Sequence, residues 1–163
     1  MANDGFIYGL DVLTFGDKVF GYISEDGLQT SGDAPATTQI RAAQKSNAVV
    51  KTLLTTPSSK QFTFTLIQLK GEDFKDVFGG EVDTNGVYKA PVAETIQEGA
   101  AEIKCASGHT IVIPKASLTG NLANAINLSQ TLAISCTMDV LTPDGENASP
   151  FQIYPPGKSP VQG

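Results

Sequence analysis

The residues of this chain best suited to chemistry are few and scattered: one histidine, His109, two cysteines, Cys105 and Cys136, and the adjacent carboxylates Glu25-Asp26 and Glu72-Asp73. Nucleophilic catalysis needs a base beside its nucleophile, and the sequence marks no such partner for either cysteine or for His109. A zinc site draws on several His and Cys ligands, and one histidine with no CxxC does not supply them. No G-x-S-x-G elbow, P-loop or strand-turn-helix G-x-G-x-x-G is present. Adjacent carboxylates point apart on a strand and do not face each other on a helix. Asp144-Gly145-Glu146-Asn147 lacks the alternating ligand spacing of a calcium loop and reads as a plain turn. Asn127-Leu128-Ser129 and Asn147-Ala148-Ser149 are glycosylation sequons, which matter only in a secreted protein. The expectation is a protein with no catalytic residue, no metal ligand and no cofactor.

The elements that carry these residues read as β-structure. In 163 residues, 40% of them hydrophobic, with a mean hydropathy of −0.04, one domain is the natural count. No apolar run approaches the ~20 residues of a membrane helix, and the N-terminus lacks the basic start of a signal peptide. Both cysteines fall in alternating strand contexts, which favours two buried thiols in a reducing compartment over a disulfide. His109 sits at a strand start and reads as structural.

Strands are expected over about 5–13 and 18–24 around the Gly16-Asp17 turn, and over about 37–43 and 47–55 around Ser46-Asn47. The next, 60–69, alternates Phe62, Phe64 and Leu66 with Thr63 and Thr65. Its phase breaks at Ile67 and Leu69, which implies a bulge or a strand end covered on both faces. A short helix follows at about 71–79. Glu72 and Asp73 occupy its first turn, Phe74, Val77 and Phe78 form one apolar stripe, and Gly79-Gly80 provides the exit. Asn85-Gly86 marks a hairpin. A strand at about 92–105 pairs with one at 109–113 until Pro114, after which 115–127 is irregular or briefly helical. In the last long strand Leu128, Leu132, Ile134, Cys136, Met138 and Val140 share one face, opposite Ser129, Thr131, Ser135, Thr137 and Asp139. FQIY (151–154) is a possible short strand, and the end of the chain is a flexible tail. The residues alone thus predict a β-sandwich with a helix plugging one end.

Charge is unevenly distributed. The net charge is −6 and the pI about 4.6, which argues against binding duplex DNA through its phosphates. Residues 1–40 carry six acids and one base, Lys18, whereas 41–71 carry five bases, Arg41, Lys45, Lys51, Lys60 and Lys70, and no acid. From 72 to 102 acids again dominate. Such blocks suit head-to-tail contact.

The order of these pieces resembles one family. GYISEDGLQ (21–29), TQIRAAQKSNAVVKTLLTTPSSKQFTFTLIQLKGEDFKDVFGG (38–80), HTIVIPKASLTG (109–120) and the turn Pro143-Asp144-Gly145 are together similar to the major tail tube proteins of long-tailed, non-contractile (siphovirus-type) bacteriophages, most of all those of actinobacterial hosts. The resemblance spans about residues 5–155 and rests on order and spacing. It implies a mainly β fold: an antiparallel sandwich or small barrel over residues 1–155, one flanking helix at about 71–79, a long loop and hairpin at about 25–60, and a tail at 156–163. It also implies a structural virion protein, made in the host cytoplasm, whose copies form rings, usually hexamers. Inner strands would join into a β-barrel around a channel, and rings would stack into a tube through which genome DNA passes without specific binding. Implied partners are further copies of the chain and the tail terminator, tape measure and distal tail proteins, with no membrane involved.

Three groups of residues then become candidates. Phe74, Val77 and Phe78 are expected to seat the helix near a neighbouring subunit. The acids Glu25, Asp26 and Asp33 of one ring are expected to meet the bases Arg41, Lys45, Lys51 and Lys60 of the next. Glu94, Glu98 and Glu102 share a stripe with Ala100 and Lys104 that is either luminal or a solvated outer face. The rival readings are the tube protein of a secretion or contractile injection machine and a monomeric adhesion or carbohydrate-binding sandwich. A chain only 7% aromatic and without tryptophan gives the latter no obvious sugar platform.

Overall fold

The computed structural model describes residues 4–45, 47–145 and 148–158. The Ser46 half of the expected Ser46-Asn47 turn, Glu146 and Asn147 of the acidic turn and second sequon, and tail residues 159–163 lie outside them. Wherever apolar and polar residues alternate, the chain is extended. In chain order the strands are β1 (Leu10–Phe15), β2 (Lys18–Val19), β3 (Gln29–Ser31), β4 (Ala36–Arg41), β5 (Val49–Thr56), β6 (Gln61–Leu66), β7 (Glu81–Val82), β8 (Tyr88–Lys89), β9 (Gln97–Cys105), β10 (Thr110–Ala123), β11 (Ala133–Val140) and β12 (Gln152–Tyr154). A 3-10 turn covers Ala43–Lys45, and α1 is Gly71–Phe78.

One eight-stranded antiparallel sheet runs β2-β1-β9-β10-β11-β6-β3, with β12 beside the start of β10. The sheet curls over its core. Phe20 lies 6.0 Å from Phe64, centroid to centroid, and Ser24 N and Ile67 N donate to Thr65 O (2.9 Å) and Tyr22 O (3.0 Å), bridging the two sides. Leu13, Phe15, Phe64, Leu66, Ile103, Ile113, Leu118, Ile134 and Met138 are buried between them, at about 1.5–3 kcal/mol for each large side chain removed from water. The result is the expected mainly β, sandwich-like layer, but among the described residues it does not close into a barrel.

Several boundaries differ from expectation, each for a local reason. The segment 115–127 is not irregular or helical: β10 continues through it to Ala123. Proline cannot donate to a ladder, and β10 absorbs Pro114 in a bulge where its register with β9 shifts between Ile113 and Ala116. β11 begins at Ala133, so Leu128 is not on its apolar face but fully exposed. Asn127 Oδ1 accepts from Ser129 N (2.9 Å) and Gln130 N (2.8 Å), a turn that holds these residues off the ladder. β9 begins at Gln97, not 92, because the chain bends just after Pro91. β6 ends at Leu66, so Ile67 and Leu69 lie beyond a strand end and mark neither a bulge nor a doubly covered strand; Ile67 is 39% exposed. The first strands are shorter than expected, and the 25–36 loop contains β3, which pairs with β6.

The helix forms where expected. Glu72 and Asp73 sit in its first turn, Asp73 Oδ2 accepts from Lys70 N (2.9 Å), and Gly79 ends it at φ 80°. Val77 is buried directly over Gly120 of β10, where a Cβ would stand 2.5 Å from Val77 Cγ1. Only glycine lets the helix come this close. Phe74 and Phe78 pack against the core half-buried, and Tyr88 of the expected Asn85-Gly86 hairpin stacks on Phe74 (5.3 Å) while its hydroxyl donates to Gly79 O (2.7 Å).

Candidate assembly surfaces

The face of the sheet opposite the core is polar in register across five strands. One row runs Glu98, Ser117, Asp139, Gln61, Ser31. The next runs Thr119, Thr137, Thr63, Gln29, and a third Asn121, Ser135, Thr65. These twelve residues include two carboxylates and no base. They also hold one another in place: Ser31 Oγ donates to Gln61 Oε1 (2.9 Å), and Gln61 Nε2 donates to Asp139 Oδ1 (2.7 Å). Strand alternation makes this face automatically, since every second residue of SLTGNLA, AISCTMDV and QFTFTL must point away from the core.

Of the acidic stripe, Glu98 and Glu102 do share the outward face of β9 with Ala100 and Lys104. Lys104 Nζ lies 3.9 Å from Glu102 Oε1. Glu94 precedes the strand and instead lines a groove beside α1 with Phe74, Phe78, Tyr88 and Leu122. Burial first, and then Glu94, hold the Tyr88 hydroxyl above its ordinary range.

The hairpin β4–β5 is the second surface. It is tied at its root by Ser59 N to Asp33 O (3.0 Å) and Asp33 N to Ser59 Oγ (2.8 Å). Every residue of both strands is exposed, including Ile40, Val49, Val50, Leu53 and Leu54. At about 3.3 Å per residue, eight residues of β5 make an arm of about 26 Å. Arg41, Lys45 and Lys51 lie toward its tip, whereas Lys60 and Asp33 both lie at its root and are neighbours within one molecule.

A third surface is a cleft of about 430 Å³ between the start of β1, the loop before β3, β6 and the far ends of β9 and β10. Leu10, Leu28, Phe62, Ile103 and Ile111 line it, with Glu25 and Asp26 among its walls. Neither acid takes part in an ion pair; those among the described residues are Lys18–Glu72, Lys104–Glu102 and Lys115–Asp144.

The residues with chemical potential are dispersed. His109 is buried, with Nδ1 3.0 Å from Ser107 Oγ, which in turn accepts from Tyr8 N (3.3 Å). Both cysteines are free thiols. Burial, with a smaller contribution from Asp73, pushes Cys136 up to about 12, and burial also raises Cys105. Sequence reasoning missed Gly120, whose only signal was a glycine inside an alternating run, and β3, which is too short to show a pattern.

A family model described as "Phage tail tube protein" matches residues 16–153 of the chain. No curated protein matches it.

Proposed function

This chain belongs to the phage tail tube protein family, and on that footing we propose that it is of the siphovirus type. Its copies close into hexameric rings, and the rings stack into the conduit through which genome DNA leaves the capsid. The role is structural, without catalysis. The protein is made in the host cytoplasm and meets the tail terminator, tape measure and distal tail proteins at the tube ends. Phe74, Val77 and Phe78 keep α1 on the side of the sheet away from the channel.

The observation that carries this reading is the twelve-residue polar face. A conduit must let a polyanion slide, and a wall of hydroxyls, amides and the carboxylates Glu98 and Asp139 offers phosphates no cation to pair with and no counterions to release. Apart from Ser117, which is buried, the face is half-buried to exposed, and it is regular because β10, β11 and β6 pair in unbroken register across it. Beyond the twelve residues the face continues along β9 with Glu102, whose carboxylate lies 3.9 Å from Lys104. Sheet edges at β2 and β3 are short, and in a ring they meet the edges of neighbouring copies.

Negative-stain microscopy of the purified chain is expected to show rings and tubes; a strict monomer at high concentration overturns the reading. The lumen assignment has its own test. Glu98→Lys with Asp139→Lys is expected to leave tubes intact while slowing ejection from phage or retaining DNA in the tail. Unchanged ejection places this face elsewhere.

A further inference from the structure

Asparagine is a labile residue, and Asn85-Gly86 is the one place in the chain where a glycine follows it; every other asparagine precedes Asp, Ala or Leu. The distinction is chemical. The backbone nitrogen after an asparagine can attack the side-chain amide carbon, and glycine has no side chain to hinder the approach. Asn85 and Gly86 are exposed at the turn between β7 and β8, and a Cβ built on Gly86 would meet nothing within 4 Å. Among the described residues the Asn85 side-chain amide has no hydrogen-bond partner in the chain.

The backbone of the same turn is pinned, and by one residue. Gly86 N donates to Asp83 O (3.0 Å) and Asp83 N to Val87 O (3.0 Å). The Asp83 carboxylate oxygen Oδ1 accepts from Asn85 N and from Val87 N, both at 2.9 Å.

We propose that Asn85 is a site of spontaneous deamidation through a cyclic imide, and that Asp83 sets its rate. Gly86 N forms a bond to Asn85 Cγ, the Cγ–Nδ2 bond breaks, and ammonia leaves with the proton that Gly86 N gives up. Water then opens the imide. Cleavage between Gly86 N and Cγ gives aspartate, and cleavage between Gly86 N and the main-chain carbonyl carbon gives isoaspartate; both add a negative charge. The bond to Asp83 O withholds the proton that must leave. The two bonds to Asp83 Oδ1 fix the backbone on either side of the peptide that must turn to align the reacting atoms. The intact turn therefore holds the reaction back, and an opened turn releases it. Isoaspartate lengthens the main chain inside the hairpin whose Val82 pairs with Tyr88. Tyr88 stacks on Phe74 and bonds Gly79 O, so the lesion is passed to the outer side of α1.

Peptide mapping by mass spectrometry, with an enzymatic assay for isoaspartate, follows position 85 at mildly alkaline pH in folded wild type, in wild type unfolded by urea, and in folded Asp83→Ala. Conversion is expected to be at least about tenfold faster in the second and third than in the first, because the lost hydrogen bonds include two to a charged acceptor. Hydrogen exchange reads the guard without a variant, and the Gly86 and Val87 amides of folded wild type are expected to be protected. No preference for Asn85 over the other asparagines in urea overturns the site. Folded wild type reacting as fast as the unfolded chain, or exchanging freely at Gly86, overturns the guard. Rapid conversion in urea with wild-type slowness in Asp83→Ala overturns the role of Asp83. The isoaspartate-bearing fraction is expected to melt below unmodified protein, and an unchanged melting temperature overturns the link to α1.

Discussion

α1 and the β4–β5 hairpin both leave the main sheet, and they use apolar residues in opposite ways. The eight-residue helix turns Val77 into the core until only 2% of it is exposed, with Phe74 and Phe78 packed beside it. The hairpin has fourteen strand residues and buries none of them, although Leu53, Leu54, Val50 and Ile40 are as apolar as anything in the helix. Residue type does not separate them; the presence of an intramolecular partner does. The helix has Gly120, which leaves room for Val77, and Tyr88, which stacks on Phe74. Among the described residues the hairpin strands pair only with each other. The helix therefore adds to the buried core of one copy, and the hairpin does not.

The largest effect on folding is expected where the helix meets the sheet. Gly120→Leu puts a side chain where Val77 Cγ1, Ile134 Cγ2 and Ser135 O already stand within 3.2 Å. Overfilling such a site costs about 1–3 kcal/mol, and here the helix must lift to relieve it. Chemical denaturation should show this loss in the monomer. Unchanged stability means that α1 is not seated on β10.

The difference between the two excursions was only half legible in the sequence. The helix announced itself through the i, i+3, i+4 stripe of Phe74, Val77 and Phe78 between an acidic first turn and two glycines. All of those signals are local. Where the stripe lands depends on Gly120, a non-local partner that a lone glycine in SLTGNLA does not reveal. The hairpin was also legible as two strands, but β-alternation says only that side chains point to two faces. It does not say that both faces are empty. The polar face was visible in part, through Thr63, Thr65, Ser135, Thr137 and Asp139, and its β10 third was lost because Pro114 looked like an end. A bulge can carry a proline through a strand, and whether one forms depends on the neighbouring strand's register. The cleft was not legible at all, since Leu10, Leu28, Phe62, Ile103 and Ile111 meet only through the curl of the sheet.

A smaller effect is expected on the solvent side of the helix. Burial raises the Asp76 carboxyl above its ordinary value of 3.8, Asp73 and Glu72 add to this, and Lys18 and Lys75 oppose it. A carboxyl raised in the folded state contributes stability that is fully present below its unfolded value and is lost as pH rises through the raised one. At neutral pH the ionised Asp76 is therefore a mild liability. Asp76→Asn should raise the melting temperature slightly at pH 7, and the gain should vanish as pH falls through the raised value toward 3.8. A gain that persists in acid assigns the effect to something other than this charge.

The smallest effect on folding is expected in the hairpin, and it separates the two regions most sharply. Leu53→Ser with Leu54→Ser removes two aliphatic side chains, a change that in the core would cost several kcal/mol. Leu53 and Leu54 are 41% and 60% exposed and lie outside the buried core, so monomer stability should stay within about 0.5 kcal/mol of wild type. On the tube reading, assembly should nevertheless weaken, because exposed aliphatic side chains on this scale mark a contact between molecules. Denaturation of the monomer and microscopy of the concentrated protein read the two halves separately. If the double variant destabilises the monomer as Gly120→Leu does, the hairpin packs on its own chain and the contrast collapses. If it folds normally and still forms tubes, the arm is not what joins copies.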